Sequence, residues 1–239
     1  MFETFLIQPI YNGFIFLIGV MPQGDVGLAI IALTIVVRAV FYPAFTASIG
    51  TQMGMQAIQG PLDEINKKYK DNPEEKTRRT MALFKEHKVR PFAGFVALLV
   101  QIPVFFALYL AFFKEGLPAI NQELLYSFVS APDAVSTSFF GILDMLAPHN
   151  IPLAIIVGAT QYAAIRLTLT RMKNGTTAAT AERATAQKMQ QHMMLYFMPA
   201  LLAGISYTFP AAVGLYFTAG NLISLAQEYL IKHQTKGKN

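Results

Sequence analysis

Five long apolar blocks constrain this chain more than anything else in it. They cover residues 26–47, 92–113, 151–170, 193–209 and 211–231, at 17 to 22 residues apiece. A helix needs roughly 20 residues to cross the ~30 Å of hydrocarbon in a bilayer. Of the 239 residues 54% are apolar and 14% charged, against about 25% charged in an ordinary soluble domain. A water-soluble globule is excluded, and an all-α integral membrane protein with five transmembrane helices is expected. Only Pro210 separates the last two blocks; lacking a backbone donor, it marks a tight reversal into an antiparallel pair. The chain has no cysteine, which removes disulfides, thiolate metal sites and a thiol nucleophile. It has no tryptophan either, so Tyr and Phe must anchor it at the interfaces.

Charge gives the orientation, because Lys and Arg near span ends stay on the cytoplasmic side. Residues 49–91 carry nine basic side chains, from Lys67 to Arg90, and the connection between the third and fourth blocks with its flanks carries five. The first 25 residues carry none, and residues 114–150 carry only Lys114 against four acids. An outer N-terminus and a cytoplasmic C-terminus satisfy these counts. The net charge of +5 is thus a topology signal rather than a sign of nucleic-acid recognition. The expected layout is an outer segment over 1–24, spans over 25–48, 92–113, 151–170, 191–209 and 211–231, a cytoplasmic segment over 49–91, an outer loop over 114–150, a cytoplasmic loop over 171–190 and a short basic tail over 232–239.

Residues 1–24 lack the basic start and small-residue cleavage site of a secretory signal. Thr4, Gln8 and Asn12 recur every four residues opposite Phe5, Leu6, Ile10 and Phe14, which predicts an amphipathic helix lying on the outer membrane surface. In the segment 49–91, Met55, Ile58, Leu62, Ile65 and Tyr69 form one apolar seam, and Thr77, Met81, Phe84 and Lys88 form another. Between them Asp71-Asn72-Pro73-Glu74-Glu75 combines a cap, a proline at the first helical position and acids in the first turn. An antiparallel helical hairpin in the cytoplasm is expected, with Met55, Ile58, Leu62, Ile65, Tyr69, Met81 and Phe84 as its apolar residues.

Arg38 lies in the middle of the first block. A guanidinium at the centre of a span costs on the order of 2.5–3.5 kcal/mol on insertion scales, so something must hydrate or pair it. No acid lies at that depth in any other span. A water-filled groove lined by neutral polar groups resolves the cost, with Thr34, Gln101, Gln161, Ser206, Thr218, Asn221 and Ser224 as candidate lining residues. The competing structural reading is that Arg38 donates to neighbouring carbonyls and locks the bundle. Gly204, Gly214 and Gly220 are expected to permit close helix packing. The chain lacks a phosphate-binding G-x-x-x-x-G-K-[ST] loop, an H-E-x-x-H pair and a G-x-S-x-G elbow. Bond-breaking catalysis, a metal and a cofactor are therefore not expected.

The stretches LTIVVRAVFYP around Arg38, MALFKEHKVRPFAG after the hairpin, LLVQIPVFFALY in the second block and FPAAVGLYFTAGNLISLAQEYLI in the last resemble, in sequence, order and spacing, the YidC-type membrane protein insertases, the family that includes the Oxa and Alb relatives of organelles. The resemblance covers nearly the whole chain. It implies a five-span core around a hydrophilic groove open to the cytoplasm and lipid, with Arg38 as its positive residue. A core-only form without a large extracytoplasmic domain is expected, because the first span begins so soon after Met1. The chain departs from the pattern at Arg90, at Arg166, where relatives carry a neutral polar residue, and in its short tail, KHQTKGKN, which argues against tail-mediated ribosome docking. The implied function is integration of newly made hydrophobic segments into the bilayer. The implied partners are nascent membrane proteins and the lipid bilayer, with the Sec translocon and the ribosome as further candidates. The implied location is the bacterial plasma membrane. An anion channel or small-solute transporter using Arg38 for selectivity is the alternative.

Overall fold

The computed structural model describes residues 5, 7–87, 89, 102–114, 117–173, 189 and 191–236. The fold is predominantly helical. Helix α1 (Gln8–Val20) leads through a short turn to α2 (Val26–Val40), α3 (Tyr42–Ala57), α4 (Gln59–Lys68) and α5 (Pro73–Glu86). An apolar helix α6 (Ile102–Phe112) closes in a wider turn at Leu110–Lys114. A two-stranded antiparallel hairpin follows, β1 (Ser138–Phe139) with β2 (Leu143–Asp144). The chain ends in α7 (Ile151–Lys173), α8 (Met193–Thr208) and α9 (Ala211–Lys236).

Helix α7 packs on α8 and α9, α9 packs on α2, and α2 packs on α1. One core cluster joins Phe14, Ile15 and Ile18 of α1, Ile30 and Leu33 of α2, Val104 and Leu108 of α6, Leu153 of α7 and Leu215 of α9. Among the described residues one helix, over Ile151–Thr170, is both long and apolar enough to cross a membrane, and only 28% of it is buried in the protein. An apolar helix so little covered is not the core helix of a water-soluble domain. Exposed Ile35, Val36, Ile155, Ile156, Leu201 and Leu222 extend the same apolar exterior over α2, α7, α8 and α9.

The first apolar block is not one uninterrupted helix. Helix α2 ends at Val40, and Phe41 leaves helical geometry (φ −93°, ψ 12°) before α3 begins at Tyr42. Pro43 accounts for the break: it has no N–H to give to the Ala39 carbonyl four residues back. Arg38 consequently sits in the last turn of a helix, not midway along one. A second break falls at Ile58 (φ −99°), where Pro61 cannot donate to the carbonyl four residues back. It puts Met55 on α3 and divides the seam predicted over 55–69 between two helices. In α8 the turn Met193–Phe197 is a π-helix; Pro199 lacks the donor for Leu195, and the wider turn absorbs the mismatch.

The N-terminal helix differs from expectation in what its polar face meets. Asn12 is 2% exposed. Its Nδ2 donates to the Leu124 carbonyl at 2.9 Å, and its Oδ1 accepts from the Tyr126 N–H at 2.7 Å. The Gln8 amide donates to the same Leu124 carbonyl. The segment after α6 folds over this face, so the polar residues pair with its backbone rather than with water. Asp25 holds the other end of that segment: it caps α2 by accepting from Leu28 N–H at 3.0 Å and accepts from Phe140 N–H at 2.9 Å.

Candidate functional site

The site is built where α2, α7 and α9 meet. Arg38 enters it because α2 stops two residues later, which leaves the guanidinium near the free carbonyl end of a helix, where the macrodipole favours a cation by about 0.3–1 kcal/mol and up to ~2 when partly buried. Its Nη2 donates to the backbone carbonyl of Gly220 at 3.1 Å. The kink after Phe41 brings Phe45 of α3 under the same group, with the guanidinium carbon 4.5 Å from the ring centroid. Among the described residues no carboxylate pairs with Arg38. A charged hydrogen bond contributes roughly 1.5–3 kcal/mol and a desolvated cation–π contact about 2. These are of the same order as the insertion cost, so they can offset it without an acid.

Gly220 lies ten residues after Pro210, about 15 Å along α9 at 1.5 Å per residue, or half the thickness of the hydrocarbon. Its carbonyl also accepts from the Ser224 hydroxyl at 2.9 Å. The next residue, Asn221, donates from Nδ2 to Thr160 Oγ1 of α7 at 3.2 Å. One turn of α9 therefore ties α2 on one side and α7 on the other.

Of the candidate lining residues, the structure brings Arg38, Asn221 and Ser224 together. Thr34 is buried one turn before Arg38, and its hydroxyl donates back to the Ile30 carbonyl at 2.7 Å. Thr218 is buried on α9, and its hydroxyl has no hydrogen-bond partner among the described residues. Gln161 is half-buried on α7. Ser206 is fully buried on α8, with its hydroxyl against Gly214 of α9, which puts it toward the Pro210 end and away from Arg38. Gln101 lies outside the described residues. Gly214 performs the close packing expected of it; Gly204 does not, since nothing would lie within 4 Å of a Cβ there. Sequence reasoning missed Phe45 and Thr160, and it read Gly220 as a packing residue when its carbonyl is the ligand. The proline two residues before Phe45 was the available signal.

In the segment 49–91, Ile58, Leu83 and Val89 form a separate buried cluster against which Met55, Leu62, Ile65 and Phe84 pack. Leu83, not Met81, faces this cluster: Met81 is 55% exposed. Met81 lies three residues before Phe84 and fits a helical period with it, whereas Leu83 is its immediate neighbour, so spacing alone pointed to Met81. Tyr69 takes Lys68 and Arg79 over its ring, at 5.7 and 6.0 Å, and Lys88 lies outside the described residues. Asn72 caps α5 by accepting from Glu75 N–H at 3.1 Å. Glu75 in turn accepts from Arg78 and Arg79, each at 2.9 Å, and these guanidinium groups hold its carboxyl below the ordinary range.

Fold and site together define a class: a helical bundle with an apolar exterior and an arginine held by backbone between its helices. Within that class, residues 18–238 match the 60Kd inner membrane protein family, and the chain belongs to it. The chain is 31% identical over 209 residues to the membrane protein insertase YidC of Pelobacter propionicus, covering 87% of this chain and 35% of that protein. It is 28% identical over 238 residues to the protein of that name from Pelodictyon phaeoclathratiforme, covering 98% of this chain and 37% of the relative. It is 32% identical over 225 residues to that of Oceanobacillus iheyensis, covering 92% and 79%. The chain thus spans little more than a third of the first two relatives and about four-fifths of the third.

Proposed function

We propose that this protein integrates newly made hydrophobic segments of other proteins into the bacterial plasma membrane. Its spans would lie over 25–48, 92–113, 151–170, 191–209 and 211–231, with the N-terminus outside and the C-terminus in the cytoplasm. Family membership and the names of the relatives support the class of activity. The observation that carries the mechanism is that the hydrogen-bonded partner of Arg38 is a neutral carbonyl and that, among the described residues, no carboxylate pairs with it.

A client span with a short polar flank must cross a low-dielectric slab in which each unsatisfied polar group costs several kcal/mol. A wet groove reaching Arg38 from the cytoplasm halves that distance. Acidic or dipolar groups of the flank are drawn to the guanidinium, and transfer of the client's apolar span into lipid completes the step. The α4–α5 pair, with Tyr69 and exposed Met81 at its surface, receives the client first. No covalent chemistry and no cofactor are needed. Neither the site nor the relatives favour an anion channel.

The test is reconstitution of wild type and Arg38→Ala in protein-free liposomes, followed by protease protection of a client whose short tail is acidic. Loss of protection in the variant supports the proposal. Equal protection removes Arg38 from the mechanism.

A further inference from the structure

The β1–β2 hairpin, far along the chain from Arg38, carries an apolar tip that the described residues leave uncovered. Its turn, Phe139–Ile142, is closed by the Ile142 N–H, which donates to the Phe139 carbonyl at 3.0 Å. The two central residues, Phe140 and Gly141, both have positive φ, at 50° and 71°. Hairpin turns of that kind favour Asn or Asp before the Gly, because a bulky side chain is strained in the left-handed region. Here the strained position holds a phenylalanine, and it faces outward: Phe140 is 65% exposed and Ile142 89%. A Cβ on Gly141 would meet nothing within 4 Å among the described residues. No residue from Ala134 to Leu143 is charged.

The tip is held at one level of the fold. Phe140 N–H donates to Asp25 Oδ2 at 2.9 Å, while Oδ1 of the same carboxylate accepts from Leu28 N–H at 3.0 Å and caps α2. Phe139 lies against Gly27, where a Cβ would collide with its ring, and Phe140 packs on Phe139 with centroids 4.6 Å apart. Asp25 and Gly27, about 3 Å apart along the axis at 1.5 Å per residue, open the span proposed over 25–48. We propose that Phe140 and Ile142 insert at the boundary between headgroups and acyl chains of the outer leaflet and anchor this hairpin to lipid. Protein interfaces pair hydrogen-bonding groups as well as apolar area, and Phe139–Leu143 offers no polar side chain. A lipid boundary asks only for apolar area and rings, and in a chain without tryptophan phenylalanine has to supply such anchors. Because one carboxylate binds both the tip and the first turn of α2, the anchor would set the depth of α2 and, with it, that of Arg38. The leaflet and the level rest on the span and orientation proposed above.

The absence of tryptophan lets a single one report its own surroundings. Ile142→Trp, with Phe140→Trp as a second reporter, is reconstituted in phosphatidylcholine liposomes with and without bromine atoms high on the acyl chains. Ile35→Trp, at an exposed position of α2, reads whether that span lies in lipid, and Glu123→Trp is an exposed polar-site control in the same segment as the hairpin. Both tip reporters should emit to the blue of Glu123→Trp and lose most of their emission to brominated lipid, while Glu123→Trp keeps its own. Quenching at Ile35 without quenching at the tip would overturn the anchor and leave the span standing; quenching at neither would contradict both. A tip shifted to the blue but untouched by brominated lipid is covered by protein, which also overturns the proposal, as does equal quenching at Glu123. A Glu123→Cys variant labelled with an impermeant reagent reads the orientation separately; labelling from the cytoplasmic side would contradict the leaflet.

Discussion

The Nη2 of Arg38 on α2 meets the backbone carbonyl of Gly220 on α9 at 3.1 Å, across 182 residues of sequence. Because the acceptor is main chain, no side-chain substitution at position 220 removes it. The bond also joins the broken end of α2 to the turn of α9 that holds α7 through Asn221 and Thr160. Arg38 is therefore a structural tie as well as the cation on which the proposed function rests.

Gly220→Ala and Gly214→Ala should behave oppositely. A Cβ at Gly220 meets only the Arg38 guanidinium at 3.5 Å, an ordinary contact, whereas one at Gly214 runs into Ser206 Oγ and lies 2.8 Å from Leu153 Cδ2. Gly220→Ala gains helix propensity worth up to ~1 kcal/mol and should be neutral or slightly stabilising. Gly214→Ala should destabilise by about 1–3 kcal/mol through overpacking. Thermal unfolding in detergent ranks them; a larger loss at Gly220 would show that its close approach, and not its carbonyl, is what matters.

Asn12→Ala should loosen the cap that the segment around Leu124–Tyr126 forms over α1. The Leu124 carbonyl would keep only its bond from Gln8, and the Tyr126 N–H would lose its side-chain acceptor; a buried group left unsatisfied costs about 1–3 kcal/mol. Hydrogen exchange should rise first at Tyr126. Unchanged exchange there would mean that α1 and the cap hold together by apolar packing alone.

The first turn of α5 should soften in acid. The Glu75 carboxyl titrates below the usual carboxylate range because Arg78 and Arg79 donate to it. A depressed folded value stabilises above the unfolded pKa of about 4.3 and is lost as pH falls through the lower folded value. Amide exchange across Pro73–Glu86 should therefore accelerate below about pH 4 in wild type and change much less in Glu75→Gln. Equal acceleration in the two proteins would assign the effect to other groups.

Removing residues 55–88 should reduce crosslinking of a nascent client more than it lowers the unfolding temperature, because the Ile58–Leu83–Val89 cluster is separate from the main core. Undiminished crosslinking would take this segment out of client capture.

The helices were legible where a predominantly apolar stretch was long enough to span a bilayer, as in α7 over Ile151–Thr170. Arg38 was legible as well, since a charge inside an apolar block has no bland place to go. The breaks at Phe41 and Ile58 were not, although the prolines that cause them stand in plain view: a proline inside an apolar run can kink, end or merely decorate a helix, and tertiary packing decides which. The partners of Arg38 were harder still. A backbone carbonyl has no sequence signature, and the contact spans most of the chain. The burial of Asn12 was hidden for a related reason, because its polar face reads as water-facing until a distant segment supplies the donors and acceptors that cover it.

The central claim is that Arg38 stands in a watery recess reached from the cytoplasm. In proteoliposomes of known orientation, an Arg38→Cys variant of this cysteine-free chain should react with a membrane-impermeant thiol reagent added to the cytoplasmic side and stay unreacted when the reagent is added outside. Protection from both sides, or reaction from the outside alone, would contradict the account.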